Sequence, residues 1–494
     1  MRVPPERLPR EIYSTAQVRE LERAASERHG IPSYELMRRA GTAAFELLRR
    51  EWPAARRIAV FCGPGNNGGD GYTVARLAHG AGFEVRAFAV SAPERLRGDA
   101  ARAHADADAA GVPIAPWKPG DEWRADVVID ALFGIGLARE VTGELGDAVE
   151  AMNAAGVPVL ALDIPSGLES DTGMPLGRAV RATVTVTFIG LKQGLFLGRA
   201  PDYCGRLELA DLAVPRDTLE PPLKRLRVED LVAALPRRPR TAHKGTSGRL
   251  LVVGGGPGMP GAARMAAEAA LRTGAGLVYV ATHPSSAPAI AAGRPEAICH
   301  AVTEPAELDP LLEGCDGVVV GPGLGRSPWA EALWRRVLAA ERAVVADADA
   351  LNLLATAPGA RERWLLTPHP GEAARLLGES VGVVQSDRRR AALALAERYR
   401  AAVVLKGACS LVVTSDHAVW VCDRGNPGMA TAGMGDVLSG VLGALLVQTG
   451  DLDATARAGV LLHALAGDDA AAEGERGTIA TDLMPHLRRW ANPT

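Results

Sequence analysis

Two α/β domains are what this sequence predicts, and three observations carry the prediction. The 494 residues exceed the usual length of one domain about threefold. Short apolar runs bounded by Gly, Pro or Asp alternate with Ala-rich amphipathic stretches, the pattern of a mostly parallel sheet covered by helices on both faces. The alternation breaks once, in the Pro- and Arg-rich stretch Val214 to Arg240, and then restarts. The expected organisation is a domain over residues 1–216, a linker over 217–240 and a second domain over 241–494.

In the first half, helices are expected over Thr15–His29 and Ser33–Glu51. The runs Arg57–Cys62, Phe83–Val90, Ala125–Ala131, Pro158–Asp163 and Ala182–Phe188 read as buried strands. Within the break one short helical piece is expected at Val228–Leu235. Beyond it the expected strands are Arg249–Gly254, Gly276–Thr282, Gly317–Gly321, Ala343–Asp347, Arg363–Thr367, Ala402–Leu405 and Ser410–Thr414.

Composition narrows the function by exclusion. Lys and Arg (55) nearly balance Asp and Glu (58) for a net charge of -3, so no single-sign field points to nucleic acid or a membrane surface as partner. Met1 to Glu20 lack the apolar core of a signal peptide, and the longest apolar run, Val437 to Val447, is too short to span a bilayer. Cys62, Cys204, Cys299, Cys315, Cys409 and Cys422 form no CxxC pair. That argues against a zinc ribbon or disulfide framework, and a cytoplasmic protein is expected. Only five of the 55 cations are lysines, Lys192 and Lys406 among them. Where Arg fills nearly every generic cation position, a remaining Lys points to a site that needs a compact ammonium.

Gly63, Gly65 and Gly68 satisfy GxGxxG directly after a predicted strand and before a helix expected near Asp70, the setting of a pyrophosphate-binding turn. The second strand ends in Val90 and Ser91 with no acidic residue to hold a ribose, which disfavours an ordinary NAD dehydrogenase. Asn66, Asn67 and Asp70 add polar side chains that a plain glycine turn does not need. Asp130 opens DALFGIGL and Asp163 opens DIPSG, each at the carboxyl end of a strand. Their oxygens, with a Ser hydroxyl, suit a hard cation. Asp163 is a candidate acid/base and by position equally a helix N-cap; Asp130 reads as an oxygen ligand of that cation or likewise as a structural cap, and Lys192 is either a charge-balancing ammonium or a solvated cation.

In the second half, Gly256, Gly258 and Gly261 form another GxGxxG, readable as a ligand loop or as a tight βα turn. NPGMATAGMGDVLSG places Gly433, Gly435 and Asp436 before an apolar helix. Backbone N–H groups there could stabilise a transferring phosphoryl group while Asp436 takes the proton of an attacking hydroxyl, or Asp436 could simply cap the helix.

YSTAQVRELERAASERHGIPSYELMRRAG, GPGNNGGDG, DALFGIGL, DIPSG and TFIGLKQGL, in that order, resemble the NAD(P)H-hydrate epimerase domain over about Leu8 to Val214. The resemblance implies a Rossmann-like three-layer α/β/α fold. It also implies recognition of NAD(P)H hydrated at C6 by Asn66, Asn67, Gly68, Gly69, Asp70, Gly134, Ile135, Gly136, Leu137, Ala138, Arg139, Glu140 and Asp163. Potassium would sit with Asn67, Asp130 and Ser166. HKGTSGRLLVVGG, GPGLG, DADAL, LTPHPGE, LKGACS and the AGMGD loop resemble the ADP-dependent NAD(P)H-hydrate dehydratase, of the ribokinase-like superfamily, over about Val228 to Trp490. This implies that Ala262, Gly323, Gly325 and His369 contact the hydrate, that Lys406, Gly407, Ala408, Cys409, Ser410 and Gly435 contact the nucleotide, and that Asp436 touches the reacting group with Mg2+ on the phosphates.

The expectation is a bifunctional repair enzyme, with catalytic Asp163, Lys192 and Asp436, that epimerises hydrated NAD(P)H and dehydrates its S form using ADP, working as a homo-oligomer. The rival is a ribokinase-like small-molecule kinase fused to a non-catalytic binding domain.

Overall fold

The computed structural model describes residues 8–215 and 219–492. Two compact units divide at Leu223 and Lys224. The expected boundary at residues 216 and 217 lies outside the described residues. The remainder of the expected linker is not a bare connector. Leu223–Arg225 is a strand parallel to Val419–Cys422, and Val228–Ala234 is a helix. Leu223, Leu226, Val228 and Leu231 are buried; the helix is the one expected at Val228–Leu235, while the surrounding Pro and Arg hide the three-residue strand in the sequence.

The N-terminal unit holds a seven-stranded parallel sheet, in the order Ile114–Pro116, Glu84–Ala89, Arg57–Cys62, Val127–Ala131, Val159–Leu162, Val184–Phe188, Arg206–Ala210. Alternate residues face opposite layers. Ile58 and Val60 pack with Leu36, Leu48 and Ala75 of the helices Ser33–Glu51 and Asn66–Gly80. Phe61 and Val128 pack with Val149 and Met152 of the helix Gly143–Asn153 on the other face. All five expected strands are present. Ile114–Pro116 and Arg206–Ala210 were not expected: both are edge strands, the first only three residues long with a proline before it and another at its end, the second broken by Arg206 and Glu208.

In the C-terminal unit, parallel strands run in the order Ile298–Ala301, Leu277–Thr282, Arg249–Val253, Gly317–Val320, Val344–Ala346, Trp364–Leu366, Ala402–Leu405. Ser410–Val413 and Val419–Cys422 then join antiparallel. The helix Met434–Thr449 is apolar on nearly every side and lies among core residues, which accounts for the run Val437 to Val447. Among the described residues no helix is long and apolar enough to cross a membrane.

Candidate functional site

The strand order of the N-terminal sheet reverses between Arg57–Cys62 and Val127–Ala131. Loops leaving such a pair diverge and open a crevice at the carboxyl edge. A cleft of about 710 Å³ lies there, lined by Asn66, Asn67, Asp70, Gly134 to Arg139 and Asp163. Of the expected contact residues, Gly68, Gly69 and Glu140 do not line it. The helix expected near Asp70 begins at Asn66, so Gly68 and Gly69 lie inside its first turns and serve packing. A Cβ on Gly68 would stand 2.1 Å from the Gly63 carbonyl oxygen, and one on Gly69 2.5 Å from Met37 Cε.

Asp163 adopts φ 70°, uncommon for a residue with a Cβ, and no helix follows it; it is not an N-cap. Its Oδ1 accepts from Lys192 Nζ at 2.5 Å and its Oδ2 from the Ile135 amide at 3.2 Å. Lys192 also donates to Thr187 Oγ1 and the Phe188 carbonyl, each at 2.8 Å, and is 1% exposed. An ammonium has three N–H groups. All three are consumed, so Lys192 is neither a solvated cation nor free to touch a ligand: it fixes Asp163.

Asp70 faces the same cleft. Burial, then the charges of Asp163 and Glu22, push its carboxyl well above the usual carboxylate range, with Lys192 offsetting part of the shift. Glu22 is raised too, by burial first and then by Asp163. Glu22 and Arg19 line the cleft from the helix Thr15–Glu27, and sequence reasoning missed both. The only available signal was their spacing of three on a helix whose other face is apolar.

Asp130 is fully buried behind the cleft. Its Oδ2 accepts from the Ser166 amide at 2.8 Å and its Oδ1 from Ser166 Oγ at 2.6 Å. Burial raises it to about 6 against the opposing pull of those hydrogen bonds. Asn67 is 7% exposed, and neither its Oδ1 nor its Nδ2 has a partner, a costly state for a buried amide.

In the C-terminal unit, the loops after Val344–Ala346, Trp364–Leu366 and Ala402–Leu405 meet the start of the helix Met434–Thr449. Lys406 Nζ donates to Asp347 Oδ1 at 2.5 Å and lies 3.9 Å from Glu372 Oε2. Ser439 Oγ donates to Asp347 Oδ2 at 2.7 Å. Burial works against the charge of Lys406, yet Asp347 and Glu372 together raise its pKa. Burial lifts Glu372 to about 7. Its Oε2 accepts from the His369 amide at 2.8 Å, which makes His369 the cap of the helix Pro370–Leu377 rather than a free loop residue. A Cβ on Gly435 would lie 3.4 Å from both Asp347 Oδ2 and Lys406 Nζ, so the helix start reaches this cluster.

Asp436 is the third residue of the helix Met434–Thr449, with Gly433 at the cap position. Burial first, then Asp347, raise it to about 6. Gly323 approaches Ala262, whose Cβ would lie 3.0 Å from one placed on the glycine, and the Gly325 amide donates to Asp349 Oδ2 at 2.8 Å. Ser410 Oγ bonds the Gly407 carbonyl at 2.9 Å and closes the turn that includes Ala408 and Cys409. Asp347 and Glu372 were visible within DADAL and LTPHPGE but carried no assigned role; the fold gives them one by bringing them to Lys406.

A family model described as NAD(P)H-hydrate dehydratase matches residues 250–489, and one described as YjeF-related protein N-terminus matches residues 33–194. The bifunctional NAD(P)H-hydrate repair enzyme Nnr of Coxiella burnetii is 49% identical over 98% of this chain and 99% of its own. The enzyme of the same name from Escherichia coli is 43% identical over 100% of this chain and 96% of its own. A solved ribokinase-like superfamily protein from Enterococcus faecalis aligns with TM-score 0.52 at 27% identity, covering 56% of this chain and 98% of that one. With both family matches in one chain and relatives of this similarity end to end, the protein belongs to the family of bifunctional NAD(P)H-hydrate repair enzymes.

Proposed function

We propose that the N-terminal unit exchanges the R and S epimers of hydrated NAD(P)H, and that the C-terminal unit dehydrates the S form at the expense of ADP, giving AMP and phosphate. What carries this reading is the presence, in one chain of this family, of two lysine-fixed carboxylates, each at the carboxyl edge of its own sheet.

C6 of the hydrate bears a hydroxyl and the ring nitrogen. Asp163 Oδ2, facing the cleft, takes the hydroxyl proton as the C6–N1 bond opens to an aldehyde and an enamine. Asp70, held neutral by its surroundings, gives a proton to the departing nitrogen. Closure on the other face of the aldehyde returns both protons and inverts C6. Potassium fits behind the cleft, where the partnerless Asn67 Oδ1, the Asp130 carboxylate and Ser166 Oγ are oxygen donors. Bound there, it would supply a fixed positive charge.

In the C-terminal unit, Asp436 takes the proton of the C6 hydroxyl as its oxygen attacks the terminal phosphoryl group of ADP, and AMP leaves. The Gly435 amide and the start of its helix stabilise the developing charge, with Lys406 beside them. Phosphate then departs with push from the ring nitrogen, and loss of a C5 proton restores the double bond. Among the described residues no trio of His, Cys, Asp or Glu converges on a metal position. That fits Mg2+ held chiefly by nucleotide phosphates and water, where it would neutralise phosphate charge. In this reading the enzyme works in the cytoplasm as a homo-oligomer, which light scattering tests.

The deciding experiment incubates purified protein with both hydrate epimers, ADP and Mg2+. Complete return of nicotinamide absorbance with release of inorganic phosphate is expected. A stop near half removes the epimerase assignment, and a stable phosphorylated product would mark a small-molecule kinase instead.

A further inference from the structure

Arg388 opens the helix Arg388–Tyr399 and is 4% exposed. Buried guanidinium groups are normally matched by a carboxylate, yet no carboxylate among the described residues pairs with this one. Its partners are backbone carbonyls: Nη1 donates to Ala408, and Nη2 donates to Leu405 at 3.2 Å and Lys406 at 3.3 Å. Its Nε has no partner. These carbonyls belong to the strand end and turn that carry Lys406 to Ser410. The turn is conformationally demanding, with Gly407 at φ 146° and Cys409 at φ 51°. A Cβ on Gly407 would lie 2.9 Å from Arg388 Nη2, so the guanidinium and the turn are fitted to one another.

A trans peptide points its C=O and the following N–H in opposite directions. Carbonyls gathered inward therefore send the next amides away from Arg388. The Lys406 amide is taken by the Pro368 carbonyl at 2.9 Å and the Gly407 amide by Ser410 Oγ at 3.2 Å, while the Cys409 amide follows the captured Ala408 carbonyl. The turn is thus strapped on both sides, and a full positive charge lies beneath it with only dipoles for company.

We infer that Arg388 is a positioning residue for the nucleotide: it shapes the Gly407–Ser410 turn by holding its carbonyls and leaves its own charge for the ligand's phosphates to neutralise. The inference rests on the proposed nucleotide role of this turn. A loop brace and a charge reserve differ in one measurable respect. The charge contribution grows with the number of phosphates, whereas a purely structural contribution weakens every nucleotide alike.

The test measures binding of AMP, ADP and ATP by calorimetry to the full chain, wild type, Arg388→Gln and Arg388→Lys, with epimerisation followed in parallel. Arg388→Gln should lose about tenfold in affinity for ADP, less for AMP and more for ATP, with epimerisation unchanged. Arg388→Lys should recover the dependence on phosphate number while remaining weaker overall, since an ammonium cannot span three carbonyls. A uniform loss across the three nucleotides in Arg388→Gln, or none, overturns the inference; if that variant does not fold, the Lys variant carries the test, and affinities that equal those of wild type, or that no longer rise with phosphate number as those of wild type do, overturn it. Wild-type protein that binds none of them would instead overturn the functional reading on which it stands.

Discussion

Each half of this protein holds a lysine 2.5 Å from a carboxylate at the carboxyl edge of a sheet, and the two pairs are built for different work. Lys192 spends its remaining N–H groups on Thr187 and Phe188 and is sealed from solvent. Lys406 makes one hydrogen bond, to Asp347, has Glu372 at 3.9 Å, and keeps 19% of its side chain exposed. The first ammonium is a fixture whose product is a precisely aimed Asp163. The second retains donors for a ligand. An ion pair is therefore not a function; the hydrogen-bond count around the nitrogen decides which role it can take.

The comparison breaks most visibly at the acid/base residues. Asp163→Asn should lower epimerisation by about 10³-fold and leave dehydration of pure S hydrate intact, and Asp436→Asn should do the reverse; separate assays of the two reactions check this. A variant that lost both would show that the halves are not chemically independent.

Replacing either lysine uncovers a buried carboxylate, so Lys192→Met and Lys406→Met should each lose about 3 kcal/mol of stability in denaturant unfolding. They part in ligand response. ADP should still raise the melting temperature of Lys192→Met, as it does for wild type, and should not raise that of Lys406→Met.

A smaller effect lies in pH. Asp436 stands at about 6 because burial and Asp347 favour its neutral form. As a base it must be ionised, so kcat/KM for dehydration should fall about tenfold per pH unit below about 6 and level off above it. The sign for stability is opposite. A carboxyl raised by folding contributes most below its unfolded value of about 4 and loses that contribution as pH climbs toward about 6. Smallest of all, Gly134→Ala would place a methyl 2.7 Å from Asp163 Oδ2 and should slow epimerisation by about tenfold, without touching dehydration.

Much of this was legible in the sequence because parallel strands buried on both faces read as apolar runs, and the loops after them carry the chemistry. GPGNNGGDG, DALFG and DIPSG fall at one crevice for that reason. Lys192 stood out by the rarity of lysine and its place in TFIGLKQGL, and nothing in the sequence revealed that its bonds are saturated. Arg19 and Glu22 reach the cleft from a helix far earlier in the chain, a proximity created by folding. Within the expected linker the helix Val228–Ala234 was legible from its apolar spacing, whereas the strand Leu223–Arg225 was not, because its three residues stand among Pro and Arg although Leu223 is fully buried. Edge strands such as Arg206–Ala210 present half-exposed residues throughout and give no run to detect.

Gly63 has a consequence of its own. A Cβ there would stand 1.9 Å from the Leu132 carbonyl oxygen, so the two loops that form the cleft cross with no slack between them. Neither can lengthen, shorten or swing without displacing the other. In the proposed epimerisation the motion then falls to the substrate: once C6–N1 has opened, the aldehyde alone turns about its bond to C5 and offers its other face for closure, while the walls around it stay put.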